Sequence, residues 1–251
     1  MRFDYDHLTF RYEPFPIGCA HPLMDAQAYR DLLDAYPPLE IFANIPKLGD
    51  KYSLSERYNP KQYKDFIAST PLWRELHGWI KSDAFIDEVL ATLQAHHLDL
   101  GYKPQAGRSL TLGKRFKELR RGRLWADPGR LHTRFEFSML PADGGHLLPH
   151  TDTPEKVVTL IVSMVGEGEW DPAFGGGTDV NQARETRFSY NWLNRQSAFE
   201  DMDILQTFDF QPNQGIIFVK THNSWHSVRP MAGQGSKALR RTLTINIERE
   251  D

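Results

Sequence analysis

The chain has 251 residues, of which 40% are hydrophobic and 25% are charged, close to the average for soluble globular proteins. Its formal net charge is -3, so no overall basic field indicates nucleic acid as a partner. Cys19 is the only cysteine, which leaves no internal disulfide and no thiolate zinc cluster and favours a reducing compartment.

The amino terminus and the apolar pattern argue against export and membrane insertion. Arg2, Asp4 and Asp6 stand where a signal peptide would need apolar residues. No apolar run reaches the ~20 residues of a membrane helix. We therefore expect a cytoplasmic protein without a membrane span, and the sequence does not indicate its oligomeric state.

The first part of the chain carries apolar residues at helical spacing. This spacing predicts helices over residues 25–36, 61–69 and 83–97. Ser82 can cap the third helix, and the pair Pro37-Pro38 ends the first. We expect residues 1–105 to form a helix-rich support region.

The second part of the chain has the pattern of a β protein. Short segments rich in β-branched and aromatic residues alternate with glycine-rich turns, and they predict strands over residues 131–140, 156–165, 204–210, 215–220 and 240–248. Such punctuation is typical of a barrel or a double-sheet jelly roll. We expect a mainly β fold with flanking helices, in which residues 106–251 form the catalytic core of a single domain spanning 1–251. The basic run at 114–123 fits either a solvated face or a docking surface for an anion.

A histidine–aspartate pair separated by one residue occurs twice in the chain. His97 and Asp99 lie at the end of a predicted helix, and in a helix residues two apart diverge and do not bind one ion easily. His150 and Asp152 precede a predicted strand, and in extended backbone residues two apart project to the same side. The second pair is therefore the better candidate for a metal site.

The third ligand and an anion-binding residue are expected from later strands. His226 follows the strand at 215–220 and is the candidate ligand, although the sequence also leaves His222 open. The strand at 240–248 has one polar face and one apolar face, and its polar face consists of Arg240, Thr242, Thr244 and Asn246. An arginine on this face suits the binding of a carboxylate, because its planar fork can reach both oxygens.

Two histidines and one carboxylate form a facial triad that leaves other metal positions open. This arrangement is typical of non-haem iron(II) oxygenases, whereas structural zinc sites are closed and usually contain thiolates. The ligand set His150, Asp152 and His226 therefore predicts an iron centre.

Residues 130 to 248 resemble the 2-oxoglutarate/iron(II) oxygenase superfamily, in particular its prolyl-4-hydroxylase-like branch. The resemblance rests on His150-x-Asp152, Gly175-Gly176-Gly177-Thr178, His226-x-Val228 and Arg240-Arg241-Thr242-Leu243. It implies a double-stranded β-helix core, Fe(II) on the triad, and 2-oxoglutarate and O2 as co-substrates, with Arg240 on the far carboxylate of 2-oxoglutarate. It also implies hydroxylation of an unactivated C–H bond in a small metabolite, an amino acid or a peptide residue.

One position departs from the family pattern. Several prolyl hydroxylases carry a tyrosine ten residues before the first histidine, where this chain has Leu140. We expect Thr159 or Arg134 to complete the co-substrate site instead.

Further residues are expected to line the pocket or its entrance. Trp225 adjoins the distal ligand, although a tryptophan there is more often part of the core. His146 and Trp170 flank the entrance in sequence, and residues 166–177 have the composition of a lid.

Two other classes of function remain open at this point. A cupin-like metal-dependent hydrolase or isomerase would use the same ligands without requiring Arg240. A non-catalytic β-sandwich binding module would place His150 and His226 far apart.

Overall fold

The structure is a computed structural model that describes residues 2–106 and 129–250. The described chain is mainly β, with two antiparallel sheets and four α-helices. The basic run at 114–123 lies outside the described residues. Within the described residues, no helix combines the length and the apolar character needed to cross a membrane.

The four helices all lie in the first part of the chain. They are α1 (Ala26–Asp34), α2 (Pro60–Ser69), α3 (Pro71–Ile80) and α4 (Asp83–Ala95). Asp25 caps α1 by accepting from two backbone amides, and Ser82 caps α4 by accepting from Phe85 N. The three predicted helices are therefore present, with ends displaced by one or two residues.

The helix α3 is absent from the sequence-based prediction. It begins at Pro71, where proline is tolerated because the first helical N–H has no partner. Its buried residues Trp73, Leu76 and Ile80 follow the three-and-four spacing of an amphipathic helix. Because α2 ends at Ser69 and α3 begins two residues later, the two short helices are hard to separate by periodicity.

Twelve strands form the two sheets of the described chain. They are β1 (Thr9–Arg11), β2 (Ile17–Ala20), β3 (Ala43–Ile45), β4 (Lys51–Ser55), β5 (Leu131–Pro141), β6 (Leu147–His150), β7 (Lys156–Ser163), β8 (Thr178–Ala183), β9 (Met202–Phe208), β10 (Gly215–Val219), β11 (His226–Val228) and β12 (Leu239–Arg249). The larger sheet has the order β1-β2-β10-β7-β12-β5-β4-β3, and the smaller has the order β6-β11-β8-β9. The five predicted strands correspond to β5, β7, β9, β10 and β12.

The amino-terminal part contributes strands as well as helices. The strands β1 to β4 all belong to the larger sheet, at its two ends. The prediction of a helix-rich region over 1–105 therefore describes this part incompletely.

The main core lies between the helices and the larger sheet. Trp73 of α3 packs edge-on against Phe137 of β5, with ring centroids 4.7 Å apart. The apolar face of β12, formed by Leu243, Ile245 and Ile247, is fully buried in the same cluster. The opposite face of this sheet is turned towards the smaller sheet, and the polar side chains described next lie between the two.

A candidate metal centre between the two sheets

The two candidate histidine ligands lie on neighbouring strands. His150 ends β6, His226 begins β11, and the two residues are direct partners in the antiparallel ladder. Their ring centroids are 4.3 Å apart. This proximity argues against a binding module in which the two histidines lie far apart.

Each imidazole is oriented by a backbone carbonyl two residues before it. The Nδ1 atom of His150 lies 2.8 Å from the Leu148 carbonyl oxygen, and that of His226 lies 2.9 Å from the Ser224 carbonyl oxygen. A carbonyl accepts only, so both Nδ1 atoms carry the proton and both Nε2 atoms keep a free lone pair. Such partners fix the tautomer of metal-binding histidines.

Burial keeps both imidazoles neutral. It lowers the pKa of His150 and lowers the pKa of His226 to about 3, to which the neighbouring His150 adds. A neutral imidazole is the form that binds a metal ion. The pair is therefore ready to act as ligands at neutral pH.

Asp152 completes the group, but with a backbone conformation that differs from the sequence-based expectation. Its φ is +69°, in the left-handed region, so the extended backbone expected at His150-Thr151-Asp152 is wrong. The intervening Thr151 is held by the side chain of Asn194 and the backbone carbonyl of Asn191. This tether turns the chain as it leaves β6 and brings the Asp152 carboxylate back to the imidazoles.

The three side chains meet closely enough to bind one ion. Asp152 Oδ1 lies 3.7 Å from His150 Nε2, and one ligand atom from each of the three residues lies within 4.8 Å of the others. An ion with bonds of about 2.1 Å places neighbouring ligand atoms roughly 3 Å apart, so side-chain shifts of about 1 Å complete the site. Among the residues that the structure describes, no other trio of His, Cys, Asp or Glu is grouped in this way.

Both oxygens of Asp152 have donors. Lys156 Nζ lies 2.6 Å from Oδ1, and Thr159 Oγ1 donates to Oδ2 over 2.9 Å. Burial alone would raise the pKa of this carboxyl, but Lys156 and the two histidines hold it well below its ordinary value. Asp152 is therefore ionised and oriented by its neighbours.

A small cavity extends from the triad into the space between the sheets. Its volume is about 100 Å³, and we call it the inner cavity. The polar face of β12 lines it with Arg240, Thr242, Thr244 and Asn246. The rest of its lining includes the metal ligands and side chains of β5, β7 and β8, among them Leu140, Thr159 and Thr178. Arg240 therefore faces the inner cavity, whereas Arg241 faces outward and pairs with Glu169.

Arg240 is a buried cation without a carboxylate partner among the described residues. Its Nε donates to the Gly176 carbonyl oxygen, and its Cζ lies 4.7 Å from the ring centroid of Phe210. Burial lowers the pKa of its guanidinium to about 10, which leaves it charged at neutral pH. A buried charge of this kind is stabilised by an anion.

Gly176 makes room for the arginine side chain. Its φ is +83°, and an added Cβ would lie 3.0 Å from Met231 Sδ and 3.2 Å from Arg240 Cδ. Glycine at this position therefore permits both the positive φ and the close approach of Arg240.

Two further polar groups in the inner cavity have an unpaired atom. Thr178 Oγ1 is buried without a hydrogen bond among the described residues, and so is one atom of the Asn246 side-chain amide. The other amide atom of Asn246 lies 3.1 Å from Thr159 Oγ1, and because the single hydroxyl proton of Thr159 goes to Asp152, that atom is the donor. Buried polar atoms are normally paired, so the Thr178 hydroxyl and Arg240 indicate that the cavity takes a ligand with acceptor oxygens. The strand pattern predicts Asn246 on this face, whereas Thr178 enters the sequence analysis only as the last residue of the motif Gly175-Gly176-Gly177-Thr178, without a role in the site.

A wider cleft opens on the other side of the triad. Its volume is about 570 Å³, and we call it the outer cleft. It is lined by Lys47, Leu48, Gly49, Lys51, Arg57, Tyr58, Arg134, Glu136, His146, Leu147, Leu148, His150, Asp152, Thr153, Glu155, Lys156, Asn194, Gln196 and Glu248. His150 and Asp152 line both spaces, so the candidate metal centre lies where they meet.

The two residues expected to compensate for Leu140 lie in different places. Thr159 lines the inner cavity, beside Asp152 and Asn246. Arg134 lines the outer cleft and is paired there with Glu136 and Glu248. Leu140 itself is buried and faces the inner cavity beside Arg240, its partner across β5 and β12.

The expected pocket residues divide in the same way. His146 lines the outer cleft. Trp170 is buried in an apolar cluster with Leu140 and Phe210, and it donates to the Gly175 carbonyl oxygen rather than flanking the outer cleft. Trp225 is buried and donates to the Phe188 carbonyl oxygen, so it belongs to the core.

The two competing histidine assignments lie elsewhere. His222 stacks on Tyr190, with ring centroids 5.0 Å apart, and does not belong to the metal-binding group. His97 follows the end of α4, and Asp99 accepts from Gly101 N.

Comparison with known proteins gives fold similarity only. No protein-family model matches the chain, and no curated protein matches it. A prolyl-4-hydroxylase from Pseudomonas putida is similar at 14% identity, with 93% of this chain and 92% of that chain covered and a TM-score of 0.46. A Trichoplax adhaerens prolyl hydroxylase, solved with a hypoxia inducible factor peptide fragment, is similar at 11% identity, with coverage of 92% and 83% and a TM-score of 0.48.

HygX from Streptomyces hygroscopicus, solved with nickel and 2-oxoglutarate, is similar at 10% identity, with coverage of 98% and 84% and a TM-score of 0.47. The similar solved structures thus include prolyl hydroxylases and other 2-oxoglutarate/iron(II) oxygenases, the class that the sequence motifs resemble.

Proposed function

We propose that the chain is a 2-oxoglutarate- and Fe(II)-dependent dioxygenase that hydroxylates an unactivated C–H bond. One observation carries the proposal: a triad of two neutral histidines and a carboxylate adjoins a cavity that contains a buried arginine without a carboxylate partner among the described residues. The triad accounts for a metal ion, and the arginine accounts for an anionic co-substrate beside it.

His150, Asp152 and His226 would hold the iron. Two nitrogen ligands and one oxygen ligand suit Fe(II) and leave positions for other ligands. The bound iron would supply the activation of O2, coupled to the conversion of 2-oxoglutarate to succinate and CO2, with the second oxygen atom entering the substrate as a hydroxyl group. Thr159 orients Asp152 through Oδ2, which leaves Oδ1 facing His150 Nε2.

Arg240 would bind the far carboxylate of 2-oxoglutarate. Its Nε is used by Gly176, so its two terminal nitrogens remain to donate to the carboxylate. Thr178 Oγ1 lies in the same cavity with an unused donor and would complete the site that Leu140 leaves without a tyrosine hydroxyl. Phe210 lies against the guanidinium of Arg240, and Trp170 packs edge-on against Phe210.

The fold and location follow the same proposal. The two facing antiparallel sheets are consistent with a β-sandwich, and we propose the double-stranded β-helix as its finer description. The strands β1 to β4 share a sheet with β5, β7, β10 and β12, which supports a single domain over 1–251. The free thiol of Cys19 fits a cytoplasmic location.

The experiment is an assay of 2-oxoglutarate consumption and succinate release with added Fe(II) and O2. Many reactions of this type turn over slowly without a substrate, so we expect succinate in amounts matched by the 2-oxoglutarate lost. His226→Ala should abolish it, and His222→Ala, a neighbouring histidine outside the triad, should retain it.

A folded protein that binds a divalent metal but releases no succinate with any candidate substrate would contradict the proposal. That result would favour the metal-dependent hydrolase or isomerase, which has no use for Arg240.

A further inference from the structure

The outer cleft has a size suited to a small molecule and leads directly to the candidate metal centre. Its volume of about 570 Å³ is within the usual range of small-molecule sites. Fourteen of its nineteen lining residues have polar or charged side chains, and Leu48, Leu147, Leu148 and Tyr58 are its larger apolar side chains. The chemistry of its substrate can therefore be inferred from its charged groups.

The carboxylates at the floor of the outer cleft already have cationic partners. Glu136 is buried and accepts from Lys51 over 2.7 Å, from Ser53 over 2.9 Å and from Arg134 over 3.4 Å. Glu248 accepts from Arg134 over 3.0 Å. Asp152 accepts from Lys156 and Thr159. These acceptors have little capacity left for a cationic substrate.

Hydrogen-bond donors, by contrast, remain available in the outer cleft. Arg134 uses Nε and Nη1 for the two glutamates, and its Nη2 has no acceptor among the described residues. Lys51 uses its ammonium on Glu136, although an ammonium has three N–H groups. The floor can therefore donate hydrogen bonds but accept few.

A further cation lines the outer cleft together with Arg134. Arg57 lies in the turn that directly follows β4, whose last residue Ser55 pairs with Glu136 of β5, two residues from Arg134. Arg57 is exposed, and no carboxylate lies within 4.0 Å of its guanidinium in the described part of the chain. Glu155 is the one lining carboxylate that forms no ion pair with another described residue, and it lies on the loop that follows Asp152.

We propose that the outer cleft binds a small anionic substrate whose carboxylate or phosphate group is held by Arg57 and Arg134. This inference rests on the proposed function, because it concerns the substrate of the same centre. The anionic group would be fixed at the end of β4, and the carbon to be hydroxylated would be directed towards His150 and Asp152. Five cationic side chains and four carboxylates line the outer cleft, so its lining has a small excess of positive charge. A bound divalent ion would add to this positive charge and strengthen the attraction of an anion.

The test is a set of titrations with four probes of similar size, with Mn(II) and saturating 2-oxoglutarate present and oxygen excluded. Glycerol 3-phosphate and glycerate carry the two candidate anionic groups, glycerol is neutral and choline is cationic. We expect at least one of the two anions to bind and neither glycerol nor choline to do so. The anion that binds more tightly identifies the group.

The variant Arg57→Gln should weaken the binding of that anion by about fivefold or more. Lys64→Gln removes an exposed cation from α2, outside both cavities, and should leave it unchanged. Arg57 is exposed, so its replacement does not disturb the core. Three results would overturn the inference. They are equal affinity of the anion for the wild-type protein and for Arg57→Gln, failure of both anions to bind, and binding of glycerol as tight as that of the anion.

The two proposals fail in different ways. Loss of the proposed function would appear as the absence of 2-oxoglutarate binding in the wild-type protein. In that case the titrations would be repeated with Mn(II) alone in Arg240→Met, so that Arg240 cannot bind the anion. Weaker binding of the anion after the further replacement Arg57→Gln would still support the assignment of Arg57, and unchanged binding would contradict it.

Discussion

The replacement Arg240→Met should change the stability of the protein little and its affinity for 2-oxoglutarate greatly. Burial lowers the pKa of Arg240 from its ordinary value to about 10, which corresponds to a free energy of about 3 kcal/mol against the charged form in the folded protein. Because the guanidinium is charged at neutral pH, the folded state bears this cost and methionine removes it. Loss of the hydrogen bond to Gly176 and of the contact with Phe210 opposes the gain by about 1–3 kcal/mol.

The two effects nearly cancel, so the free energy of unfolding should change by less than about 2 kcal/mol. The affinity for 2-oxoglutarate should fall much further, because truncating one partner of a buried charge pair costs about 2–5 kcal/mol, or roughly 30- to 4,000-fold. Calorimetric titration of 2-oxoglutarate into the Mn(II)-loaded protein measures the affinity, and urea denaturation measures the stability.

Arg241→Met provides the matched control, since Arg241 is adjacent in sequence but faces outward and pairs with Glu169. It should leave the affinity for 2-oxoglutarate unchanged. Unaltered affinity in Arg240→Met, or destabilisation of that variant by well over 3 kcal/mol, would refute the assignment of Arg240 as an anion-binding residue.

Four other substitutions test separate parts of the account. Thr178→Val should weaken 2-oxoglutarate binding by roughly 3- to 10-fold in the same titration while Thr178→Ser retains it, and an undiminished affinity in the valine variant would exclude a contact. His226→Ala should lose Fe(II) binding in anaerobic equilibrium dialysis whereas His222→Ala keeps it, and the reverse result would exchange the two histidines. Lys156→Met should bind divalent metals about tenfold more tightly, because an ammonium no longer competes for Asp152 Oδ1; weaker binding would show that Lys156 supports the site instead. Glu136→Gln should lower the free energy of unfolding by about 3 kcal/mol at pH 7, because it leaves the partly buried Lys51 without its carboxylate partner and Arg134 with Glu248 alone. Burial alone would raise the pKa of Glu136, but Lys51 and Arg134 lower it below its ordinary value. The stabilisation by ionised Glu136 is therefore present above about pH 4.3 and is lost as the pH falls further. Urea denaturation should show that the difference in free energy of unfolding between wild type and Glu136→Gln shrinks towards pH 3. A constant difference would contradict this reasoning.

The face on which Arg240 lies can be predicted because β12 is a long strand. The alternation of polar and apolar residues along β12 has a period of two over eleven residues, and this alternation alone separates Arg240 from Arg241. Asn246 falls on the same face for the same reason.

Other parts depend on contacts that no local pattern shows. The left-handed backbone of Asp152 results from the tether of Thr151 to Asn191 and Asn194, about forty residues away. Thr178 faces the inner cavity because β8 pairs with β9 and β11, and such pairing across long loops cannot be derived from the residues of β8 alone.

The short strands escape sequence-based prediction for a simpler reason. The strands β1 to β4, β6 and β11 contain three to five residues each, and an alternation over so few positions is not distinguishable from chance. Without them the amino-terminal part is predicted to be more helical than it is, and the contribution of β4 to the outer cleft is not foreseen.

The most direct test of the central claim is the visible absorption spectrum of the protein during anaerobic addition of Fe(II) and then 2-oxoglutarate. The proposed centre predicts a weak charge-transfer band that needs both additions, is absent in His150→Ala and is lost or greatly weakened in Arg240→Met. A folded protein that takes up Fe(II) but shows neither the band nor binding of 2-oxoglutarate would contradict the assignment of this site to a 2-oxoglutarate-dependent oxygenase.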